Sequence, residues 1–344
     1  MTQQIKNKVS GTETRRKSIS LFGIISAAAL FLVFAASLRC GSVEISWQSV
    51  LDYLCSCGDN TSPEMMIINQ LRMPRVLCAM LAGGAFAISG AVLQGVMRNP
   101  LASPEITGVS SGGAVAGLAA MLYFHAGANM TVIAVFSGAL LAASGVYLLA
   151  WKNGTDPLRI ILAGVAFSTL CGAAASTMIY LESDKAARIM AFTVGSFSSR
   201  SYENLFSVLP FAVSGFVLSV IMSKELDVLQ LGDDTARSLG VKVEISRTLL
   251  LLASVLLAAS AVSIAGLLGF AGLVVPHIVR LLSRGSNSRS LILRSAVSGA
   301  VFVALSDLVG KSIAVPAEIP AGVLTSLAGP PFFLWLLLKK RSIS

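Results

Sequence analysis

Charged residues are scarce in this chain. Only 12% of its 344 residues are Asp, Glu, Lys or Arg, whereas 55% are hydrophobic, and the mean hydropathy is +0.79. A soluble domain carries roughly 25% charged residues. The shortfall excludes an ordinary water-soluble fold and predicts that most of the chain lies in a membrane.

Groups that perform chemistry are also sparse. Neither of the two histidines has a carboxylate or thiol at metal-ligand spacing, so no metal site is expected. Among the five cysteines, Cys55 and Cys57 are expected to be unpaired thiols, while Cys78 and Cys171 are expected to be packing residues inside spans. The "GKS" at 310–312 lacks the earlier glycine of a phosphate loop, because Leu305 stands in that position. We therefore predict no enzyme activity and no cofactor in this chain.

Uncharged runs give the number of membrane spans, since a spanning helix needs about 20 residues. Five runs fit one helix each: 18–38, 76–97, 160–181, 204–223 and 319–338. The run 106–151 must be two helices, broken near 125–129, and the run 248–279 must break at 265–272, with its second helix continuing to 282. Residues 291–311 form a further helix that carries charges. The pattern predicts an all-α polytopic membrane protein with about ten transmembrane helices.

The distribution of basic residues orients these spans. With ten spans both termini lie on one side, and the loops of that side hold 19 of the 26 lysines and arginines. Positive residues remain on the cytoplasmic side of membranes. We therefore expect both termini to be cytoplasmic, a basic cytoplasmic tail at 1–17, a transmembrane domain at 18–341, and no nucleic-acid partner.

Small residues are concentrated in two stretches, 81–95 and 106–117. Gly108 with Gly112, and Gly113 with Gly117, form small-xxx-small pairs that allow helix backbones to approach closely in lipid. Two interpretations stay open: tight internal packing, or faces that move or line a cavity. Between the two stretches, "SPE" at 103–105 predicts a helix start with Ser103 as its cap.

One polar stretch, "LQLGDDTARSLGVKVEISR" at 229–247, interrupts the apolar sequence. Asp233 and Asp234 open a short helix, Arg237 lies four residues after Asp233, and Gly240 ends it. A helix of about seven residues is not stable alone in water, so it must dock on its own bundle or on a partner.

Four strings identify a family resemblance: "LRMPRVLCAMLAGGAFAISGAVLQGVMRNPLASPEITGVSSGG", "LGDDTARSLGV", "GLLGFAGLVVPHIVRLL" and "AEIPAGVLTSLAGPPFFLWLL". Together they resemble the FecCD-type permeases of binding-protein-dependent ABC importers, which carry ferric siderophores, haem and vitamin B12. The resemblance implies the type II importer permease fold in the cytoplasmic (inner) membrane. Its implied partners are a second permease subunit, either a copy or a paralogue, two cytoplasmic ATPase subunits that bind MgATP, and an extracytoplasmic substrate-binding protein.

The resemblance also assigns roles to residues. It implies that a coupling segment near 226–247 fits a cleft on the ATPase, through Leu231, Gly232, Asp233, Asp234, Ala236, Arg237, Leu239 and Gly240. At the outer surface it implies docking of the binding protein on Arg72, Arg75 and Lys311, with Glu318 a further candidate. Lys311 equally suits a local ion pair with Asp307, four residues earlier.

The resemblance places the substrate pathway along the fifth, eighth and tenth spans. Candidate pathway or gate residues are Ser168 and Thr169 in the fifth span, and Met190 and Phe192 in the segment that follows it. The predicted function is ATP-driven alternating access that imports an iron–siderophore complex, haem or cobalamin. An ion-gradient-driven secondary transporter is the alternative, although Asp307 is the only acid within the spans. A polytopic membrane enzyme would need clustered catalytic groups on its inner loops.

Overall fold

The computed structural model describes residues 22–55, 62–150, 157–182, 192–283, 287–315 and 317–341. The predicted tail at 1–17, Cys57 and Met190 lie outside these ranges. Within them all the assigned regular elements are helices. The helices are α1 (Phe22–Arg39), α2 (Trp47–Cys55), α3 (Pro63–Ile67), α4 (Met73–Val96), α5 (Val109–Tyr123), α6 (Ala128–Ala150), α7 (Pro157–Leu181), α8 (Tyr202–Ile221), α9 (Ser223–Leu229), α10 (Asp233–Ser238), α11 (Val243–Ala265), α12 (Ala271–Leu282), α13 (Ser288–Ile313) and α14 (Ala321–Arg341).

The number of apolar helices matches the prediction. Over the described ranges, seven helical stretches are long and apolar enough to cross a membrane, and α5, α12 and α14 are shorter apolar helices. Both predicted breaks are also present: α5 gives way to α6 between 123 and 128, and α11 to α12 between 265 and 271. Ten apolar helices, in described ranges whose regular elements are all helical, confirm the predicted fold class.

The second span begins earlier than its uncharged run suggests. The sequence predicts a start at Val76, but one apolar helical stretch runs from Pro63 to Val96, through α3, a π-helix at Ile68–Arg72 and α4. Ser62 caps this stretch by accepting a hydrogen bond from the Met65 amide. Arg72 and Arg75 do not end the helix, because their charges are satisfied by other parts of the fold rather than by water.

The core forms around α4 and α11, in whose apolar parts 83% and 72% of the residues are buried. α4 packs against α11, α12 and α13. Two of these contacts join glycines: a Cβ at Gly90 would overlap the carbonyl oxygen of Gly272, and a Cβ at Gly83 would overlap that of Gly299. Close backbone contact replaces the hydrophobic drive that is missing in lipid.

The small residues of α5 serve packing in the same way. A Cβ on Gly112 would lie 2.8 Å from the carbonyl oxygen of Gly138 in α6, and one on Gly117 would lie 2.7 Å from Val135 Cγ2. These contacts favour the packing interpretation of the small-residue pairs. Cys78 and Cys171 are buried free thiols, as expected of packing residues, and Cys55 is an exposed free thiol.

The prediction that Ser103 caps the third span was wrong. The Ser103 hydroxyl accepts only a long bond, 3.4 Å, from the Ile106 amide, and residues 104–108 form turns. α5 begins at Val109, after Gly108 with a φ of +81°. A left-handed residue cannot continue a helix, so the single turn after Pro104 stays separate from α5.

Candidate functional site

The coupling segment, residues 226–247, folds into α9, α10 and the start of α11. Gly232 (φ +111°) turns the chain into α10, and Gly240 (φ +81°) turns it out again, with its amide donating to the Arg237 carbonyl at 3.0 Å. This confirms the helix predicted from Asp233 to the glycine stop. Positive φ at both ends explains why glycine stands at these two positions.

One face of α10 holds it to the bundle. Ala236 is fully buried, and the Asp233 carboxylate accepts two hydrogen bonds from Arg247 Nη2, both at 2.9 Å. Arg237 does not pair with Asp233 as its four-residue spacing suggests. It pairs with Asp234, at 3.3 Å, because the deeply buried Arg247 occupies Asp233.

The opposite face of α10 is open. Leu231 and Leu239, which flank the helix, are 63% and 60% exposed, and the side chains of Asp234 and Arg237 are 102% and 56% exposed. Two exposed leucines beside exposed charges form a small surface that suits contact with another protein.

At the opposite end of the bundle Arg72 holds the end of α1. Its guanidinium donates to the carbonyls of Leu38, at 2.8 Å, and of Arg39 and Val43. Only 7% of Arg72 is exposed. Arg72 therefore fixes residues 38–43 against the helix that leads into α4.

Lys311 has a similar role in the same last turn of α1. Its Nζ donates to the Ser37 carbonyl at 2.8 Å, and 5% of the residue is exposed. Of the two roles that the sequence leaves open for Lys311, the ion pair with Asp307 is wrong, since Asp307 is held by Arg75 instead.

Arg75 is the centre of an ion-pair cluster. Its Nε and Nη2 donate to the two oxygens of Asp307, both at 2.9 Å, and its Nη1 donates to both oxygens of Glu318, at 3.1 and 2.8 Å. Glu318 also accepts a bond from the Ser198 hydroxyl at 3.0 Å. The side chains of Arg75 and Asp307 are 15% and 5% exposed, and that of Glu318 is 35% exposed. The Arg75 cluster thus joins α4, α13, the segment just before α14 and the segment after α7.

That segment contains the candidate gate residue Phe192. Phe192 is buried against Gly117 of α5, and its carbonyl accepts a bond from the Leu267 amide at 3.1 Å. Three residues further on, Gly195 accepts a bond from the Gly322 amide at 2.9 Å. The segment is therefore held between the turn that joins α11 to α12 and the start of α14.

The two candidate pathway residues of α7 differ in their surroundings. The Ser168 hydroxyl donates to the Glu105 carbonyl at 2.9 Å, in the connection between α4 and α5. Thr169 is exposed, and its hydroxyl donates within the helix to the Val165 carbonyl. Ser168 thus faces the bundle, and Thr169 lies on the open face of α7.

Comparison with known proteins decides the family. A model of the FecCD transport family matches residues 29–339, nearly the whole chain. The chain belongs to the FecCD transport family. It is therefore a multi-pass membrane permease of a transport family whose role is not catalytic, as the sequence predicts.

Relatives of this FecCD chain differ in what they import. It is 34% identical to the Fe(3+)-citrate import system permease protein YfmE of Bacillus subtilis, over 94% of this chain and 97% of that protein. It is also 34% identical to the hemin transport system permease protein HmuU of Yersinia pestis, over 91% and 93%. Among solved structures, an inward-facing metal-chelate type ABC transporter matches with a TM-score of 0.79 and 30% identity, over 94% of this chain and 99% of that one.

Three polar residues of this FecCD chain escaped the sequence analysis. Arg247 and Arg98 both contact Asp233, and Ser198 contacts Glu318. The sequence contained a signal for the two arginines, since each lies at the end of a long uncharged run. A charged residue at the end of a transmembrane helix is a candidate for an ion pair with a residue inside the bundle. Nothing in the sequence distinguishes Ser198 from the serines around it.

Proposed function

We propose that this chain is the membrane permease of an ABC importer in the cytoplasmic membrane and that it imports a ferric chelate by alternating access. ATP is hydrolysed on a separate subunit, and an extracytoplasmic binding protein delivers the cargo. The observation that carries this proposal is the coupling segment: a short helix anchored on one face and open on the other.

The open face of α10 supports an ATPase partner. Its buried side is fixed by Ala236 and Asp233, so a push on Leu231 or Leu239 would displace the attached bundle rather than bend the helix alone. Exposed leucines on a polar surface are unfavourable in water, and a partner cleft would bury them. The positive-inside distribution of basic residues supports placing this face in the cytoplasm.

The open faces of α7 and α14 support a second permease subunit. Leu162 and Tyr180 of α7, and Leu327 and Trp335 of α14, are more than half exposed. The resemblance places both helices beside the central pathway. A second copy of this chain, or a paralogue, would cover these faces and complete the pathway, with Ser168, Thr169 and Phe192 near its wall or gate.

The outer rim supports a narrower docking surface than the sequence suggests. Arg72 and Lys311 are almost completely buried and bind backbone carbonyls of α1 and of the segment that follows it. Their proposed contribution is to hold the backbone of the rim in place, and not to contact the binding protein directly. Arg75 and Glu318 are the more accessible pair, and the proposed contact with the binding protein is made around them.

Ferric chelates are the proposed cargo class because the relatives named above are permeases for iron citrate and hemin. A proposed pathway lined by small and hydroxyl side chains suits passage of a bulky chelate better than tight binding of a bare ion.

The ion-gradient alternative requires an acid that can bind and release the coupling ion. Asp307, the acid that the sequence places within a span, forms a bidentate pair with Arg75 at 2.9 Å. An acid held by a permanent cation has little capacity to exchange protons or sodium ions. This pairing favours the ATP-driven proposal.

The coupling surface provides the test. Leu231→Ser and Leu239→Ser together should weaken binding of the cognate ATPase in detergent at least tenfold and abolish ATP-dependent uptake of radioactive iron in vesicles. Leu148→Ser and Leu149→Ser, at two exposed positions of α6, are the matched control and should leave ATPase binding intact. Normal ATPase binding by the first variant would contradict the assignment of this surface.

A further inference from the structure

The two acids that open α10 have different surroundings. Asp234 points to solvent and, among the residues that the structure describes, pairs with Arg237, one turn along the same helix. Asp233 is turned toward the bundle, and its side chain is 24% exposed. The first acid of the helix is therefore placed to connect α10 with other elements, whereas the second belongs to the open surface.

The first connection of Asp233 is to α11. Arg247, in the second turn of α11, is 2% exposed and donates to both oxygens of the Asp233 carboxylate at 2.9 Å. Its Nη1 also lies 3.6 Å from Glu244. A buried guanidinium needs a carboxylate close by, because an uncompensated buried charge is strongly destabilising. Arg247 therefore fixes Asp233, and with it the start of α10, to the base of α11.

The second connection of Asp233 is to residues 98–107, the segment that joins α4 to α5. Arg98 Nη2 lies 3.4 Å from Asp233 Oδ1. Arg98 has a φ of +49°, an unusual value for a residue with a side chain. The Arg98 side chain also passes Gly232, where a Cβ would lie 3.4 Å from its Nη1. Asp233, Arg98 and Arg247 together form what we term the Asp233 cluster.

Residues 98–107 in turn contact two helices of the proposed pathway. A Cβ on Gly164 of α7 would lie 2.7 Å from the Ile106 carbonyl oxygen, so the two backbones touch. On the other side, a Cβ on Gly272 of α12 would lie 3.0 Å from Pro104 Cδ. A side chain at either glycine would collide with residues 98–107, so this segment packs directly on both helices, and we expect its movement to be passed to α7 or α12.

We propose that Asp233 is a positioning residue that connects the ATPase-facing helix α10 to α7 and α12 through Arg98 and residues 98–107, while Arg247 connects it to α11. Displacement of α10 by the ATPase is passed through the Asp233 cluster to the helices beside the pathway. This inference rests on the proposed function and adds to it the route by which the inner surface controls the pathway.

Two neighbouring substitutions separate this role from ATPase binding. Asp233→Asn keeps the size of the side chain but removes the charge that Arg98 and Arg247 share. Asp234→Asn makes the same chemical change on the open surface. Each variant is assembled in vesicles with the ATPase and the binding protein, with a ferric chelate labelled with radioactive iron as the probe. ATPase affinity, ATP hydrolysis and iron imported per ATP are measured.

Asp233→Asn should bind the ATPase within about twofold of the wild type, because the Asp233 side chain is held by the buried Arg247 and does not belong to the open face, but it should import at least fivefold less iron per ATP. Asp234→Asn should lower ATPase affinity while iron per ATP stays within about twofold. Arg98→Gln, at a partly exposed position, should also lower the amount of iron imported per ATP. If Asp233→Asn does not fold, Arg98→Gln becomes the deciding variant.

The proposed role would be overturned if Asp233→Asn imported as much iron per ATP as the wild type. It would also be overturned if the loss of iron import were no greater than the loss of ATPase binding. The same holds for Arg98→Gln if it is the deciding variant. A wild-type chain that binds no ATPase would instead overturn the proposed function, before any variant is compared.

Discussion

Replacement of Arg75 separates the structural role of the outer rim from its proposed docking role. Arg75 donates four hydrogen bonds to Asp307 and Glu318, and the Asp307 side chain is only 5% exposed. Arg75→Gln leaves the Asp307 carboxylate buried without its cation. Breaking a buried pair by removing one partner costs about 3–5 kcal/mol of the free energy of unfolding.

The double variant Arg75→Gln/Asp307→Asn removes both charges. Two neutral amides of similar volume can hydrogen-bond to each other, and replacing both members of a buried pair is often close to neutral. The double variant should therefore lose only about 1–2 kcal/mol, and be more stable than Arg75→Gln alone. Asp307→Asn alone should lie between them, since Arg75 keeps its contact with Glu318.

Reversible unfolding in mixed detergent–SDS micelles, as a double-mutant cycle, measures these differences. An Arg75→Gln variant as stable as the wild type, or a double variant with simply additive losses, would refute the structural role of this pair. Binding of the loaded binding protein to the double variant then reports on docking alone. Affinity should fall at least tenfold if Arg75 makes the contact, and unchanged affinity would remove Arg75 from the docking surface.

Two other substitutions give expectations with a definite sign. Glu318→Gln should tighten binding of the binding protein about two- to fivefold, because a partner group that binds Arg75 must otherwise displace the partly exposed Glu318 from it. Weaker binding would mean that Glu318 itself contacts the partner. Gly90→Ala should lower the free energy of unfolding by about 1–3 kcal/mol, because its methyl group would overlap the Gly272 backbone. The control Gly23→Ala, with open space around it, should stay within about 0.5 kcal/mol of the wild type. Equal stability of the two variants would contradict the α4–α12 contact.

The helix count could be predicted from the sequence because the membrane imposes a length on each apolar run. The breaks at 124–127 and 266–270 follow from runs that are too long for one helix. The coupling helix could also be predicted, since its start and its glycine stop depend on residues that are adjacent in sequence. Local chemistry and the thickness of the bilayer determine these features together.

The partners of the charged residues could not be predicted in the same way. Arg75 and Asp307 are separated by 232 positions, and Lys311 and Ser37 by 274. Only the packed bundle brings these pairs together. The sequence shows only neighbours along the chain, so it suggests a pair of Asp307 with Lys311, four residues later. In the folded bundle Asp307 binds Arg75 instead.

The burial of Arg72 could not be predicted from the sequence either. A charge next to a span predicts an accessible rim residue. Arg72 instead lies inside a helical stretch that extends 13 residues before Val76, and it binds carbonyls at the end of α1 and just after it. Whether an arginine faces a partner or the chain's own backbone depends on where α1 ends in space.

Accumulation of a radioactive ferric chelate in sealed vesicles tests the central claim most directly. Vesicles that contain this permease, its binding protein and its ATPase should accumulate the chelate against its gradient only when ATP is supplied on the ATPase side. Vesicles that contain the permease without the ATPase should not accumulate it under any imposed proton or sodium gradient. Uphill accumulation in these ATPase-free vesicles would contradict the account.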